Sequence, residues 1–140
     1  MIFESPLPRV TIPEAPLTEV VLQRAERLGD KPALVDGPTG RTVTFSQLRR
    51  DVDRLAGALH ARGLRRGEPF AVFSPNLPEY PIAFHGVVRA GGVCTTINSL
   101  YTPREINFQL ADAGARFLLT APPFLERALE AIPGTSVQEV

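Results

Sequence analysis

Apolar positions change their spacing several times along the chain, and each change marks an element. Leu17, Val21, Arg24/Ala25 and Leu28 recur at helical spacing, which predicts one helix stopped by Gly29. Ala33–Asp36 and Arg41–Thr44 flank Gly37-Pro38-Thr39-Gly40, a hairpin pattern in which the glycines are free to take positive φ. Leu48, Val52, Leu55, Ala56 and Leu59 line one face of a longer helix, ended by Gly63. Pro69–Phe73 reads as a buried strand. Ile82, Phe84, Val87 and Val88 supply the next helix, stopped by Gly91-Gly92, and Val93–Ile97 is a strand rich in β-branched residues. A helix to about Ala113, a strand Arg116–Thr120, a short helix Phe124–Ile132 and a last strand from near Val137 complete the series.

Helix starts are the sharpest local signals. Thr44 is placed to cap the helix after the hairpin, Gln47 completes a capping box, and Val43 with Leu48 occupies the hydrophobic-staple positions. The stretch Ser99–Leu110 looks like a site, with a phenol, hydroxyls, a guanidinium and a carboxylate close together. Its residue types also spell a helix start: Thr102 as cap, Pro103 in the first turn, Glu105 closing the box, Tyr101 and Ile106 as staple. Ile106, Leu110 and Ala113 then face the core. Asn76 with Glu79 suggests another start, but Pro81 fits better if the helix begins near Pro78. Residues 1–16 carry Pro6, Pro8, Pro13 and Pro16 and read as an irregular arm.

From Phe70 onward strands alternate with helices, the mark of a parallel sheet covered on both faces with right-handed crossovers. The expected fold is therefore α/β, a parallel sheet flanked by helices, with an N-terminal helix and β-hairpin, all in one domain over residues 1–140.

Composition narrows the function classes. Lys+Arg and Asp+Glu are both 15, so no basic excess points to nucleic acid, and the small Arg62, Arg65, Arg66 cluster reads as a solvated helix end. Lys31 is the single lysine, which removes the usual candidates for a Schiff base or a phosphate-loop lysine. Cys94 is the single cysteine, so an internal disulfide and a thiolate zinc cluster are both excluded. The start MIFESPLPRV lacks a basic segment followed by an apolar run, and no window approaches about 18 apolar residues, so neither a secretory signal nor a membrane span is expected. The expected location is cytoplasmic.

The carboxyl ends of the predicted parallel strands read Ser74-Pro75-Asn76, Asn98-Ser99 and Thr120-Ala121-Pro122, polar but without a strong acid, base or nucleophile set. Neither G-x-G-x-x-G nor G-x-x-x-x-G-K occurs. His60 and His85 stand alone in helices, and Asp51 and Asp53 face different ways on one helix. Asp112 and Glu105 read as solvated. Ser74 lacks a G-x-S-x-G setting, and Cys94 reads as a small buried residue. No catalytic, cofactor-binding or metal-ligating residue is assigned.

The ordered segments resemble the start of the adenylate-forming superfamily, which includes acyl-CoA synthetases, coumarate–CoA ligases and luciferases. The carrying residues are Asp30–Val35, Thr42–Leu48, Gly63–Glu68, Ser74–Tyr80, Arg89–Val93 and, most specific, Ile97–Ile106. Each is weak alone, but together they cover nearly the whole chain, nearest to the fatty-acid and coumarate CoA ligases. Pro81 departs from the family's apolar residue near that place.

The resemblance implies a two-step reaction. A carboxylic acid and Mg-ATP give an acyl-adenylate and pyrophosphate, and CoA then takes the acyl group as a thioester with release of AMP. It also implies a longer parent, whose Ser/Thr/Gly-rich Pro-Lys-Gly loop, Thr-Glu pair, ribose-binding Asp and late lysine cannot be placed here; Gly134-Thr135-Ser136 is not that loop. ATP, Mg and CoA are thus expected for the parent and none for these residues. The chain alone is expected to be a catalytically silent N-terminal scaffold fragment that self-associates through exposed strand edges. The alternative is a stand-alone α/β interaction or regulatory module without catalysis.

Overall fold

The computed structural model describes residues 6–8 and 10–140. Of the expected arm, residues 1–5 and 9 lie outside the described residues, and the described part has no helix or strand before Leu17.

The first helix departs from its predicted form. It is two short helices, α1 (Leu17–Leu22) and α2 (Ala25–Leu28), interrupted at Gln23-Arg24, where Arg24 takes φ −100° and ψ 0°. Its buried face is also one residue away from the predicted stripe. Thr18, Leu22 and Ala25 are buried, while Leu17 and Val21 are 54% and 51% exposed. The reason is tertiary: Leu22 and Ala25 join a cluster with Val43, Leu48 and Val52, and Thr18 Oγ1 lies 3.1 Å from His85 Nδ1. Gly29, at φ +54°, stops α2 as expected.

The hairpin forms as predicted. β1 (Pro32–Val35) pairs antiparallel with β2 (Thr42–Thr44), with an irregularity between Pro32 and Leu34. Of the turn glycines, Gly40 takes the positive φ. Helix α3 (Phe45–Ala61) starts on the expected capping box: Gln47 N–H donates to Thr44 Oγ1 at 3.2 Å, and Thr44 N–H donates to Gln47 Oε1 at 2.8 Å. These bonds satisfy two amide donors that a helix start would otherwise leave open.

Helix α4 (Glu79–Arg89) takes the later of the two starts, with Pro78 as cap. Pro81 is then its third residue, where an intrahelical N–H bond is not required. Gly86 lets α4 approach α3 closely, because a Cβ there would lie 2.6 Å from Leu55 Cδ2.

Three parallel strands follow: β3 (Pro69–Phe73), β4 (Val93–Ile97) and β5 (Phe117–Thr120), in the order β4-β3-β5. Helix α5 (Pro103–Ala113) connects β4 to β5. Alternation along β3 separates the two cores. Phe70 and Val72 join Ala56, Leu59, Ala83 and Val87 of α3 and α4. Ala71 and Phe73 join Ile106 and Leu110 of α5, with Ala128 beyond. Both faces of the sheet are therefore covered, as the alternation of elements predicted.

The end of the chain differs from expectation. The predicted helix 124–132 is a 3₁₀ turn (Pro122–Phe124) followed by α6 (Leu125–Glu130). Its last residues tighten, with Ala131 N–H bonding Ala128 O and Ile132 N–H bonding Leu129 O. The predicted last strand is only a parallel bridge, Phe117 to Glu139. Thr135 Oγ1 donates to Ile132 O and accepts from Val137 N–H, which keeps the chain turned until it meets Arg116 O at Gln138.

Candidate functional site

Parallel strands place all their carboxyl ends on one rim, the usual ligand side of an open α/β sheet. Between the ends of β3 and β4 lies a cleft of about 380 Å³. Ser74, Asn76, Asn98 and Ser99 line it from the strand ends, Tyr80 from α4, Tyr101 from the loop before α5, and Gln109 from α5. Local bonds hold this lining. Ser74 Oγ donates to Pro75 O at 3.0 Å, Asn98 Oδ1 accepts from Leu100 N–H at 3.0 Å, and Gln109 Nε2 donates to Thr95 Oγ1 and Thr96 O, both at 3.0 Å.

Every side chain in this lining is neutral. The cleft can orient a ligand through hydroxyls, carboxamides and phenols, but its lining supplies no carboxylate, imidazole or ammonium for proton transfer. Among the described residues no group of three or more His, Cys, Asp or Glu is placed to hold a metal ion. The rim residues therefore do not fit a Mg-triphosphate, and no step through it is assigned to them.

A second cavity, of about 460 Å³, lies between α3 and β5; Leu59, Phe70 and Phe117 give it a mostly apolar lining, to which Arg62 and Glu139 add charge. Thr120 Oγ1, at the end of β5, is buried without a hydrogen-bond partner.

The opposite, amino-terminal rim is charged. Arg116 reaches Glu68 through Nε at 2.6 Å and Nη2 at 3.1 Å, and Arg116 Nη2 also donates to Gly63 O at 2.7 Å. Arg65 N–H donates to the same carboxylate at 2.8 Å. The Arg116 bonds, followed by the Arg65 amide, hold the Glu68 carboxyl down at about 2. Arg62 pairs with Glu139 on this rim.

The remaining sequence candidates separate into structural roles. His60 is exposed, while His85 is half-buried against Thr18, and burial pushes its imidazole below the ordinary range. Burial pushes the Cys94 thiol up to about 11, against any role as a thiolate nucleophile. Asp53 accepts from Arg49 and Arg89, and Asp51 from Arg50, so the two carboxylates do not converge. Thr102 and Glu105 form the predicted box: Thr102 N–H donates to Glu105 Oε2 at 2.8 Å, and Glu105 N–H donates to Thr102 Oγ1 at 3.4 Å. The Thr102 amide, and the Thr102 hydroxyl donating to Glu105 Oε2 at 2.7 Å, lower the Glu105 carboxyl. Within the stretch Ser99–Leu110, Ser99, Tyr101 and Gln109 reach the cleft. Tyr80 and Gln109 had no signal of their own, because each lies inside a helix and only the topology brings it to the rim.

Comparison with known proteins agrees with this architecture. Residues 21–140 match the family described as AMP-binding enzyme. The chain is 36% identical over 120 residues to 4-coumarate-CoA ligase 1 of Narcissus pseudonarcissus, covering 85% of this chain and 22% of that protein. It is 37% identical over 125 residues to a long-chain-fatty-acid–CoA ligase of Salmonella typhimurium, covering 89% and 22%. The crystal structure of a long-chain-fatty-acid-CoA ligase from Archaeoglobus fulgidus shares the fold, with a TM-score of 0.88 at 23% identity over 99% of this chain and 29% of that one. An inhibitor-bound N-terminal domain from Mycobacterium tuberculosis, FACL13, gives 0.78 at 27% identity over 87% and 32%. The chain thus spans under a quarter of the length of these two curated relatives. With all but the first 20 of its 140 residues inside the matched region, the chain belongs to the AMP-binding enzyme family.

Proposed function

We propose that residues 1–140 form the opening scaffold of an ATP-dependent, AMP-forming acid–CoA ligase. In that enzyme the carboxylate oxygen of an acid attacks the α-phosphorus of ATP, expelling pyrophosphate. The CoA sulfur then attacks the acyl carbon, and AMP leaves. The observation that supports this reading is the 36–37% identity to acid–CoA ligases over 85–89% of the chain. The part played by these residues is to build the sheet and the neutral rim against which a substrate can be oriented, while phosphate chemistry is supplied by other groups.

For the acid we propose a fatty acid, supported by the Salmonella typhimurium relative. A hydroxycinnamic acid is the second reading, favoured by the 41% identity to a 4-coumarate–CoA ligase-like protein of Arabidopsis thaliana. Acid-dependent pyrophosphate exchange by the polypeptide carrying this segment, run with a panel of fatty and hydroxycinnamic acids, separates them. No exchange with any acid overturns the ligase reading and leaves the non-catalytic interaction module.

The 140-residue chain by itself is proposed to be silent, so acid-dependent pyrophosphate release from it would overturn that part. Copies of the chain are proposed to self-associate through the outer edge of β4 and the edge of β5, which meets only the Glu139 bridge. A monomer in concentration-dependent light scattering would refute this. No helix among the described residues is long and apolar enough to cross a membrane. A cytoplasmic location is proposed, with cell fractionation as its check.

A further inference from the structure

Arg127, among the described residues, binds backbone carbonyls and ring faces without meeting a carboxylate. Arg41, Arg49, Arg50, Arg62, Arg89 and Arg116 each meet a carboxylate. Arg127, the third residue of α6, instead donates from Nη1 to two backbone carbonyls, Ser99 O at 2.9 Å and Tyr101 O at 3.1 Å. Its guanidinium carbon also lies 5.1 Å from the centre of the Phe124 ring and 5.6 Å from that of Phe73. Carbonyl dipoles and ring faces take the place of an anion.

Those two carbonyls belong to the turn between β4 and α5. The turn has local bonds of its own: Tyr101 N–H to Asn98 O and Leu100 N–H to Asn98 Oδ1, both at 3.0 Å. These shape the turn without tying it to a distant element. Arg127 supplies that tie from 26 and 28 residues along the chain. The turn it holds also contributes Ser99 and Tyr101 to the lining of the polar cleft, which Ser74 and Asn76 share.

We propose that Arg127 is a positioning residue: its guanidinium, seated on Phe73 and Phe124, sets where the Ser99–Tyr101 wall stands and so the width of the neutral cleft. The neutral lining offers hydrogen-bonding groups and no counter-charge, so it suits the uncharged, hydrogen-bonding portion of a ligand. This goes beyond the ligase reading and stands on the geometry of this chain, so either can fail without the other. Arginine suits the role better than lysine, because a planar guanidinium can lie on rings while one nitrogen serves two carbonyls.

The test is amide hydrogen exchange on the 140-residue chain by NMR, comparing Arg127→Met, Arg127→Lys and Phe124→Leu with the parent. Arg127→Met is expected to speed exchange at Leu100 and Tyr101 roughly tenfold more than at Val72 and Phe73, the local opening of one turn rather than of the sheet. Arg127→Lys is expected to keep only part of the protection, because the charge and donors remain while the planar face that lies on the rings is lost. Phe124→Leu, which keeps apolar bulk but removes one ring face, is expected to fall between. Exchange at Leu100 and Tyr101 that rises only in step with Val72 and Phe73 overturns the proposal, since Arg127 would then stabilise the fold as a whole. Where Arg127→Met does not fold, the other two variants decide, and no selective change at the turn in either overturns it.

Discussion

The two rims of the same three strands are built from different chemistry. At the amino-terminal rim Arg116, Glu68 and the Arg65 amide form a charged clasp around the strand starts. At the carboxyl-terminal rim the cleft lining is wholly neutral, and the nearby cation, Arg127, is occupied with carbonyls and rings. Charge at the first rim joins segments distant in sequence. The uncharged second rim leaves hydrogen-bonding groups facing an open cleft. Strand polarity alone does not produce this difference, since both rims belong to the same ladder; the loops do.

The largest expected effect comes from removing the floor of the carboxyl rim. Phe73 is fully buried, stacks edge-on against Phe124 and carries Arg127 above it. Phe73→Ala should cost about 3–5 kcal/mol in denaturant unfolding, as large-to-small changes in a core do. A loss under about 1 kcal/mol would mean the floor is not the packed element it appears in the structure.

Next comes the clasp. The Glu68 carboxyl ionises at about 2 in the fold against its ordinary 4.5. Its stabilisation is therefore complete above the unfolded value and is lost as pH falls through about 2. Glu68→Gln should lower the melting temperature by several degrees at neutral pH and flatten the acid limb of the stability curve. A variant whose acid limb matches the parent's would show that the clasp contributes little beyond a surface pair.

Thr102→Ala should cost about 1 kcal/mol, the usual value of a helix cap, measured by chemical unfolding. It tests whether the stretch before α5 is structural at its cap. Smallest is Asn76→Ala, at an exposed position on the neutral rim. Stability should change by less than about 0.5 kcal/mol. If the proposed ligase reading holds, the same change in the polypeptide carrying this segment should raise a substrate's KM, the sign that the rim orients ligand rather than supports the fold.

Much of the fold was legible because its signals are short-ranged. Thr44 with Gln47 and Thr102 with Glu105 start helices through bonds to residues three positions away. The α1–α2 segment is less legible. Its pattern suggested Leu17 and Val21 facing inward, yet Thr18 and Leu22 do, because the partner surface on α4 offers His85 to Thr18. A last strand was expected from Val137, and Thr135 holds the chain in a turn until Gln138. At the rim, Ser74, Asn76, Asn98 and Ser99 could be placed from strand ends. Tyr80, Gln109 and Arg127 could not, because their roles depend on elements that meet only after folding.

By itself the sequence determined the alternation of strands and helices, the capped starts of α3 and α5, the stops at Gly29 and Gly63, and the neutral character of the strand ends. These follow from periodicity and from side-chain-to-backbone bonds a few residues long. Tertiary structure decided that β3 is central, that Arg116 finds Glu68 across 48 residues, and that Arg127 finds the Ser99–Tyr101 carbonyls. Such long-range pairings depend on which surfaces the cores bring together, and local spacing carries no record of that.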